Sequence, residues 1–449
     1  MSRYNTFIYL LWIGAIVAVL VMAVLGPAGW DFDVYWRAAQ AVRQGIDPYS
    51  QGIAAQRAFH AAPDANLIPP MTYVYPPLTF PLLRVVALFR RSVAESLFFA
   101  SLIAGFALQL WTGWQMADSE ERRWLRWLLP AVAFFPGLIN DDVLLSGNIA
   151  YLLYGLVLAS AVRGWKRNRW SLYYAAVLFA SCFKAPLLSL LALPIVADKR
   201  QWRAASLSAT AGVLLIAMQA SLWPKFFHGY LTAVQLQFDF NHDFGMAPSG
   251  ILGNALLAAG RPYSFATGAL YLVFAATVYV VLLWTSRSIR MDAALRDRWM
   301  PVALIGTVLL NPRIKEYDVA ALTIPMVLIA SRFLQLLVRP QQGRISEMSG
   351  ASQVSSGDPQ QSRGGVSPNE SLVCLLLAGG WFLAINTGAG GDTWKPIELS
   401  LLLVTFVGGT WWTWHQVHQP TPTGNVLRIS SRKWRRRRRL AIPGQQVLP

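Results

Sequence analysis

Long apolar stretches alternate with short polar segments along most of this 449-residue chain. About 20 apolar residues in a helix are enough to cross the hydrocarbon layer of a membrane. The pattern therefore predicts an all-α integral membrane protein, a bundle of about 12 transmembrane helices. The predicted apolar segments are residues 7–25, 92–116, 127–139, 149–162, 170–183, 186–197, 204–222, 264–286, 299–310, 317–337, 371–386 and 397–415.

Several of these segments are too short to cross a membrane by themselves, notably residues 127–139, 149–162, 186–197 and 299–310. Short helices persist in a membrane where their ends meet a water-filled cavity, since the backbone there can still form hydrogen bonds. We therefore expect a cavity that is lined by helix ends.

The composition agrees with a membrane protein. Hydrophobic residues make up 55% of the chain and charged residues only 14%, whereas a soluble domain carries about 25% charged residues. The net charge of +17 is spread over the loops between apolar segments, apart from the basic block Arg432–Arg439. We therefore expect the lipid bilayer as the surrounding medium and no nucleic acid as a partner.

Lysine and arginine residues predict the orientation, because they concentrate in cytoplasmic loops. With a cytoplasmic N-terminus, 19 of them fall on the cytoplasmic side and 6 on the other, leaving aside loop 26–91 and the basic tail. The chain is thus predicted to be a multi-pass protein of the cell (inner) membrane. Loop 26–91 and the polar residues near it would face the periplasm or the exterior.

Four regions are predicted from the changes in composition. Residues 1–337 form the main transmembrane module. Residues 338–370 are rich in Ser, Gly, Gln and Pro, which is typical of a disordered linker, here a cytoplasmic one. Residues 371–416 form a C-terminal transmembrane helix pair, and residues 417–449 form a basic cytoplasmic tail.

Two acidic residues follow the first apolar segment, at the start of a predicted interfacial helix over residues 32–44 that Gly45 ends. Asp31 is either the N-cap of this helix or a general base or metal ligand at the mouth of the cavity. Asp33 either forms an ion pair with Arg37 one turn on or shares in the chemistry.

Cationic side chains interrupt the apolar pattern further on. Lys184 lies near the middle of the apolar run 170–197. It either extends towards the membrane surface or meets an anion or water. Arg313 and Lys315 either clamp a phosphate or pair with nearby acids. The other candidate polar positions on the outer side are Tyr35, Tyr75, Asn148, His242 and Asp243.

The sequence contains no Walker A loop, zinc signature, Gly-x-Ser-x-Gly or dinucleotide-binding fingerprint. Carboxylates, a lysine, a histidine and arginines therefore make up the candidate chemistry. Because nucleotides are mostly cytoplasmic, this set suits acid–base work on a substrate that a lipid phosphate activates. We expect no cofactor.

Five short motifs occur in a characteristic order. They are Asp31-Phe32-x-x-Tyr35 with Ala38-Ala39, Gly45-x-Asp47-Pro48-Tyr49, Tyr75-Pro76-Pro77-Leu78, Gly147-Asn148 before a helix, and Lys184-x-Pro186. In order and spacing they resemble glycosyltransferase family 87, the polyprenyl-phosphate-mannose-dependent mannosyltransferases of the GT-C superfamily. The resemblance implies a GT-C-like bundle whose catalytic module spans residues 1–337.

The resemblance also implies an activity and roles for the candidate residues. A sugar, mannose in the family, would pass from a polyprenyl-phosphate donor to a glycan or glycolipid acceptor on the non-cytoplasmic face, with inversion and without a metal. Asp31, with Asp33 as the second candidate, would be the catalytic base. Lys184, Arg313 and Lys315 would bind the donor phosphate. The substrate-binding residues would be Tyr35, Tyr75, Asn148, His242 and Asp243.

From the residues alone, two other classes of function remain open. A membrane transporter or lipid flippase would also carry outward-facing polar groups near short helices. It would in addition place charged residues near the midplane of the membrane. A non-catalytic membrane subunit is the third possibility.

Overall fold

The computed structural model describes residues 10, 29–62, 70–119, 121–122, 125, 146–239, 245–261, 265–289, 292–338 and 395–418. Every regular element within these residues is a helix, so the predicted all-α class is confirmed. The predicted segments 127–139 and 371–386, nearly all of 7–25, and both His242 and Asp243 lie outside the described residues.

Several described helices follow predicted apolar segments to within a few residues, whereas others lie between those segments. The helices at 150–167 and 293–309 are longer than the predicted 149–162 and 299–310. The first eight described helices are α1 (Trp30–Arg43), α2 (Ser50–Ala61), α3 (Phe80–Val86), α4 (Arg91–Met116), α5 (Ala150–Arg167), α6 (Ser171–Ser181), α7 (Ala192–Ala197) and α8 (Trp202–Leu222). The others are α9 (Pro224–Asp239), α10 (Pro248–Ala258), α11 (Phe265–Ile289), α12 (Ala293–Leu309), α13 (Glu316–Ala321), α14 (Thr323–Val338) and α15 (Lys395–His418).

Three helices among the described residues are long and apolar enough to cross a membrane. They are α4, α11 and the helical stretch Lys199–Leu222, which includes α8. Large aliphatic side chains project outwards from α8 and α11, among them Leu207, Val213 and Val273. Such wide apolar surfaces suit contact with lipid. The several apolar helices indicate a multi-pass membrane protein, while the total of about 12 spans stays a prediction.

The short predicted segment 186–197 is not one continuous helix. A 3₁₀-helix spans Ala185–Leu191, and the short helix α7 follows it. Pro186 and Pro194 lack a backbone N–H, so neither can donate the hydrogen bond that a continuous α-helix needs. A 3₁₀ turn at Pro77–Thr79 likewise comes directly before α3.

Helix α1 begins two residues before its predicted start and ends one residue before its predicted end. Gly29 is its N-cap, at φ 83°. At the other end Gly45 has φ 71°, a left-handed conformation that glycine adopts without a steric penalty. The N–H of Ile46 donates to the carbonyl of Ala41 at 2.8 Å, and the N–H of Gly45 donates to that of Val42 at 3.3 Å. This pair of bonds forms a Schellman motif.

A buried ion pair joins the helices on the predicted cytoplasmic side. The guanidinium of Arg332 on α14 donates to both carboxylate oxygens of Glu121, at 2.6 and 2.8 Å. It also lies 5.5 Å from the ring centroid of Trp412 on α15. Both charged groups are buried. Removal of either partner would therefore leave an unpaired buried charge and destabilise the junction between these helices.

Candidate active site

A cavity of about 1000 Å³ lies where helices α1, α5, α9 and α10 begin or end. The expectation of a cavity lined by helix ends is therefore confirmed. The candidate residues that line it are Asp31, Tyr35, Tyr75, Asn148, Lys184, Arg313 and Lys315. These positions are scattered over 285 residues of sequence, from 31 to 315, and only the packing of the helices brings them together.

Asp31 lies in the first turn of α1 but is not its N-cap. That position is Gly29, so the N-cap interpretation of Asp31 is wrong. The backbone N–H of Asp31 donates to the carbonyl of Ser146 at 2.9 Å. Its carboxylate oxygen Oδ2 accepts a hydrogen bond from Nδ2 of Asn148 at 3.0 Å. The carboxylate thus faces the start of α5 and the cavity.

Asn148 connects Asp31 to Lys184. Its Oδ1 accepts from the backbone N–H of Ala150 at 3.0 Å and from Nζ of Lys184 at 3.2 Å. Because the amide oxygen already faces these two donors, the NH₂ group is left to face Asp31. A carboxylate, an amide and an amine therefore form one hydrogen-bonded row along the cavity wall.

The amine of Lys184 lies at the wall of the cavity, where it meets the side chain of Asn148. Besides Asn148 it contacts the face of the Tyr317 ring, 3.4 Å from the centroid, in a cation–π geometry. Lys184 lies between the apolar segments 170–183 and 186–197. Burial lowers the pKa of Lys184 below its ordinary value, although the negative charges of Asp318 and Asp31 act in the opposite direction.

Arg313 and Lys315 belong to one segment that follows α12. The guanidinium of Arg313 lies 5.2 Å from the ring centroid of Phe238 at the end of α9. The backbone N–H of Arg313 donates to Oδ1 of Asn311 at 2.9 Å. Together with Lys184, these residues give the cavity three cationic side chains, which suits it to an anionic group.

Two tyrosines form the wall beside Asp31. The hydroxyl groups of Tyr35 and Tyr75 are 2.8 Å apart, and Tyr49 donates to the carbonyl of Tyr75 at 2.7 Å. Burial, helped by the nearby charge of Asp31, raises the pKa of both Tyr35 and Tyr75 above the ordinary value. Both phenols therefore remain neutral, and a neutral phenol can donate a hydrogen bond to a hydroxyl group of a sugar.

Asp33 does not line the cavity. Its carboxylate forms a salt bridge with Arg91 at the start of α4, and 43% of the side chain is exposed. Arg37 instead donates from Nε to the backbone carbonyl of Asp33 at 3.3 Å. The predicted Asp33–Arg37 ion pair is therefore corrected to Asp33–Arg91, because the packing of α1 against α4 brings in a nearer cation.

A further acid, Asp318, lines the cavity. In the sequence it was only one of the nearby acids that could pair with Arg313 and Lys315. Asp318 is 1% exposed. Its carboxylate accepts from the hydroxyl of Tyr154 at 2.5 Å, from Nδ2 of Asn311 at 3.3 Å and from the backbone N–H of Lys315 at 2.8 Å. The available signal was its place inside the predicted apolar segment 317–337, since a buried carboxylate needs partners.

The cavity thus offers a carboxylate to take up a proton, cations to hold an anion, and phenol and amide groups to bind hydroxyls. Among the residues that the structure describes, no three His, Cys, Asp or Glu side chains are grouped so that they could hold a metal ion. General base catalysis beside a bound anion is the chemistry that these groups can perform.

The family model of glycosyltransferase family 87 matches residues 73–312, which is more than half of the chain. The chain belongs to glycosyltransferase family 87. The predicted family is therefore confirmed, and membership implies a transferase that uses a sugar donor and an acceptor. Neither the curated proteins nor the solved structures gave a match to this chain.

The family match covers some of the candidate residues that line the cavity, but not all of them. The matched stretch contains Tyr75, Asn148 and Lys184, whereas Asp31 precedes it, and Arg313 and Lys315 come directly after it. Any role for Asp31, Arg313 and Lys315 is therefore supported by their place in the cavity and not by the family match. Family membership also favours a transferase over the transporter and the non-catalytic subunit that the residues alone left open.

Proposed function

We propose that this glycosyltransferase moves a sugar, most simply mannose, from a polyprenyl-phosphate donor to a hydroxyl group of a glycan or glycolipid acceptor. The reaction would take place on the non-cytoplasmic face of the membrane, with inversion at the anomeric carbon. The observation that carries the proposal is the hydrogen-bonded row from Asp31 through Asn148 to Lys184. This row brings a carboxylate and an amine together in one cavity, which supports a base next to a cation.

In the proposed step Asp31 takes the proton from the acceptor hydroxyl while the oxygen attacks the anomeric carbon of the sugar. The bond between that carbon and the phosphate oxygen breaks, and its electron pair leaves with the polyprenyl phosphate. Asn148 fixes one carboxylate oxygen of Asp31 at 3.0 Å. Such positioning lowers the barrier, because the base no longer has to be oriented in the transition state.

The leaving phosphate gains negative charge as the bond breaks. Lys184, Arg313 and Lys315 line the cavity and would stabilise that charge. Cations already in place stabilise the transition state more than the ground state, since they need no reorganisation when the charge develops. Apolar residues in the same cavity, among them Leu187 and Val234, suit the lipid chain of the donor.

The substrate hydroxyl groups would contact the wall beside Asp31. Tyr35 and Tyr75 there provide a pair of neutral phenols 2.8 Å apart. Asp33, held by Arg91 outside the cavity, is the weaker candidate for the base. His242 and Asp243 remain candidate substrate-binding residues from the sequence.

The direct test is turnover by the purified protein in detergent. With polyprenyl-phosphate mannose and a hydroxyl acceptor, we expect release of polyprenyl phosphate together with transfer of the sugar. A transporter would move the lipid without cleaving it. Transfer from a nucleotide sugar, with none from the polyprenyl-phosphate donor, would overturn the proposed donor class.

Lys184→Gln tests the phosphate site. We expect the KM for the donor to rise and kcat to fall, because the leaving phosphate loses a buried cation. Lys225→Gln is the matched control, since Lys225 is exposed near the start of α9 and does not line the cavity. Equal losses in the two variants would show that net charge matters and that the position of Lys184 does not.

A further inference from the structure

Asp318 is the most deeply buried acid of the cavity and has no role in the proposed chemistry. It is 1% exposed, and both of its carboxylate oxygens already accept hydrogen bonds from the protein. A buried carboxylate is costly unless several donors and an opposite charge compensate it. The arrangement of those compensating groups indicates what Asp318 does.

The donors to Asp318 hold the whole segment 311–318 in place. Asn311 and the backbone N–H of Lys315 belong to that segment. Tyr154, the third donor, lies near the start of α5. Asp318 therefore joins the cationic segment to the helix whose start holds Asp31. The loss of these contacts would release Arg313 and Lys315 as well.

Asp318 is also connected to Lys184. Its neighbour Tyr317 provides the ring on which the Lys184 amine rests. The charged groups that act on that amine are Asp318 and Asp31, which favour its cationic form, and Arg313 and Lys315, which oppose it.

We propose that Asp318 is a positioning residue of the donor-phosphate site, which holds segment 311–318 against α5 and supplies the negative charge that keeps Lys184 cationic. The inference rests on the proposed function for the identity of the anion. Its core, the coupling of Asp318 to Lys184, concerns the protein alone and is testable without any substrate.

The test measures the protonation of Lys184 directly. The purified protein receives a short pulse of acetic anhydride, which acetylates neutral amines, and mass spectrometry measures labelling of Lys184 as a function of pH. In Asp318→Asn we expect the midpoint to move to lower pH by about one pH unit or more, since an adjacent opposite charge is lost. Asp239→Asn, which removes another acid of the same cavity, should leave the midpoint unchanged.

Tyr154→Phe provides a second variant in case Asp318→Asn does not fold. It keeps the charge of Asp318 but removes one hydrogen bond from the carboxylate, which leaves more negative charge to act on Lys184. The midpoint should therefore move to higher pH, in the opposite direction. General loosening of the site would move the two variants in the same direction.

A pH profile of kcat/KM completes the test. If Lys184 must be charged, the alkaline limb of the profile moves to lower pH in Asp318→Asn, whereas a purely structural loss lowers activity equally at every pH. An unchanged Lys184 midpoint in folded Asp318→Asn overturns the inference. A shifted midpoint in a protein that neither binds nor releases polyprenyl phosphate overturns the phosphate assignment and leaves the coupling of Asp318 to Lys184 standing.

Discussion

The contacts of each carboxylate decide what two neighbouring aspartates on one helix can do. Asp31 and Asp33 are two residues apart on α1, so their side chains leave the helix in different directions. One carboxylate meets the amide of Asn148 in the cavity, and the other meets Arg91 outside it. Proximity in sequence therefore does not make the two acids equivalent.

Asp31→Asn tests the base at this scale. Asparagine keeps the size of the side chain and an oxygen that can accept from Asn148, but it cannot take up a proton. We expect normal folding, with kcat lower by about 10²–10⁴-fold, which is the usual contribution of a general base. The measurement is turnover of the polyprenyl-phosphate donor by the purified variant.

Asp33→Asn is the control for that prediction. Its salt bridge with Arg91 is partly exposed, with 56% of the arginine side chain accessible, and exposed pairs contribute little to stability. Turnover should therefore fall far less than in Asp31→Asn. Wild-type turnover in Asp31→Asn with a large loss in Asp33→Asn would place the base two residues further along α1.

At the scale of elements, the packing of α4 against α5 holds the site together. Two glycines, Gly105 on α4 and Gly155 on α5, let the backbones come into contact. A Cβ atom at Gly155 would lie only 2.7 Å from the Cα of Gly105. Gln109 adds a hydrogen bond of 3.0 Å from its Nε2 to the carbonyl of Tyr151. Since α5 begins just after Asn148, this contact also sets the position of the hydrogen-bonded row of Asp31, Asn148 and Lys184.

Gly155→Ala should therefore destabilise the protein. The added methyl group meets backbone, which cannot rotate away, so α4 and α5 must separate at a cost of about 1–3 kcal/mol. A lower melting temperature in detergent would show it, with reduced turnover as Asn148 shifts. Gly268→Ala on α11 is the matched control, because nothing lies within 4 Å of a Cβ there. Alanine favours a helix over glycine, so the control should melt no lower than the wild type.

At the scale of the whole molecule, the distribution of lysine and arginine predicts that loops 26–91 and 223–263 are outside and both termini inside. Single cysteines introduced into a Cys182→Ser, Cys374→Ser background test this orientation in intact cells with a membrane-impermeant thiol reagent. Gln51→Cys and Arg261→Cys should be labelled, and Gly350→Cys only after the cells are lysed. Labelling at position 350 from outside would reverse the orientation and place the proposed active site in the cytoplasm.

The helical class and the approximate bounds of the helices follow from the sequence by itself. Hydropathy is a local property that adds up along a segment, so an apolar run such as 264–286 predicts α11 (Phe265–Ile289) to within a few residues. The helix-ending role of Gly45 is equally local, because it depends on the backbone freedom of one residue. The choice of Asp31, Lys184 and Arg313 as candidates also came from local cues, namely charge within or beside apolar segments and short motifs.

The partners of those candidates were decided only by the tertiary structure. Arg91 lies 58 residues from Asp33, and Tyr154 lies 164 residues from Asp318. A hydrogen bond or ion pair depends on distances of a few ångströms, and no periodicity along the chain records which distant helices pack together. Helix packing therefore decided that Asp31 faces Asn148, that Asp33 binds Arg91, and that Asp318 belongs to the site.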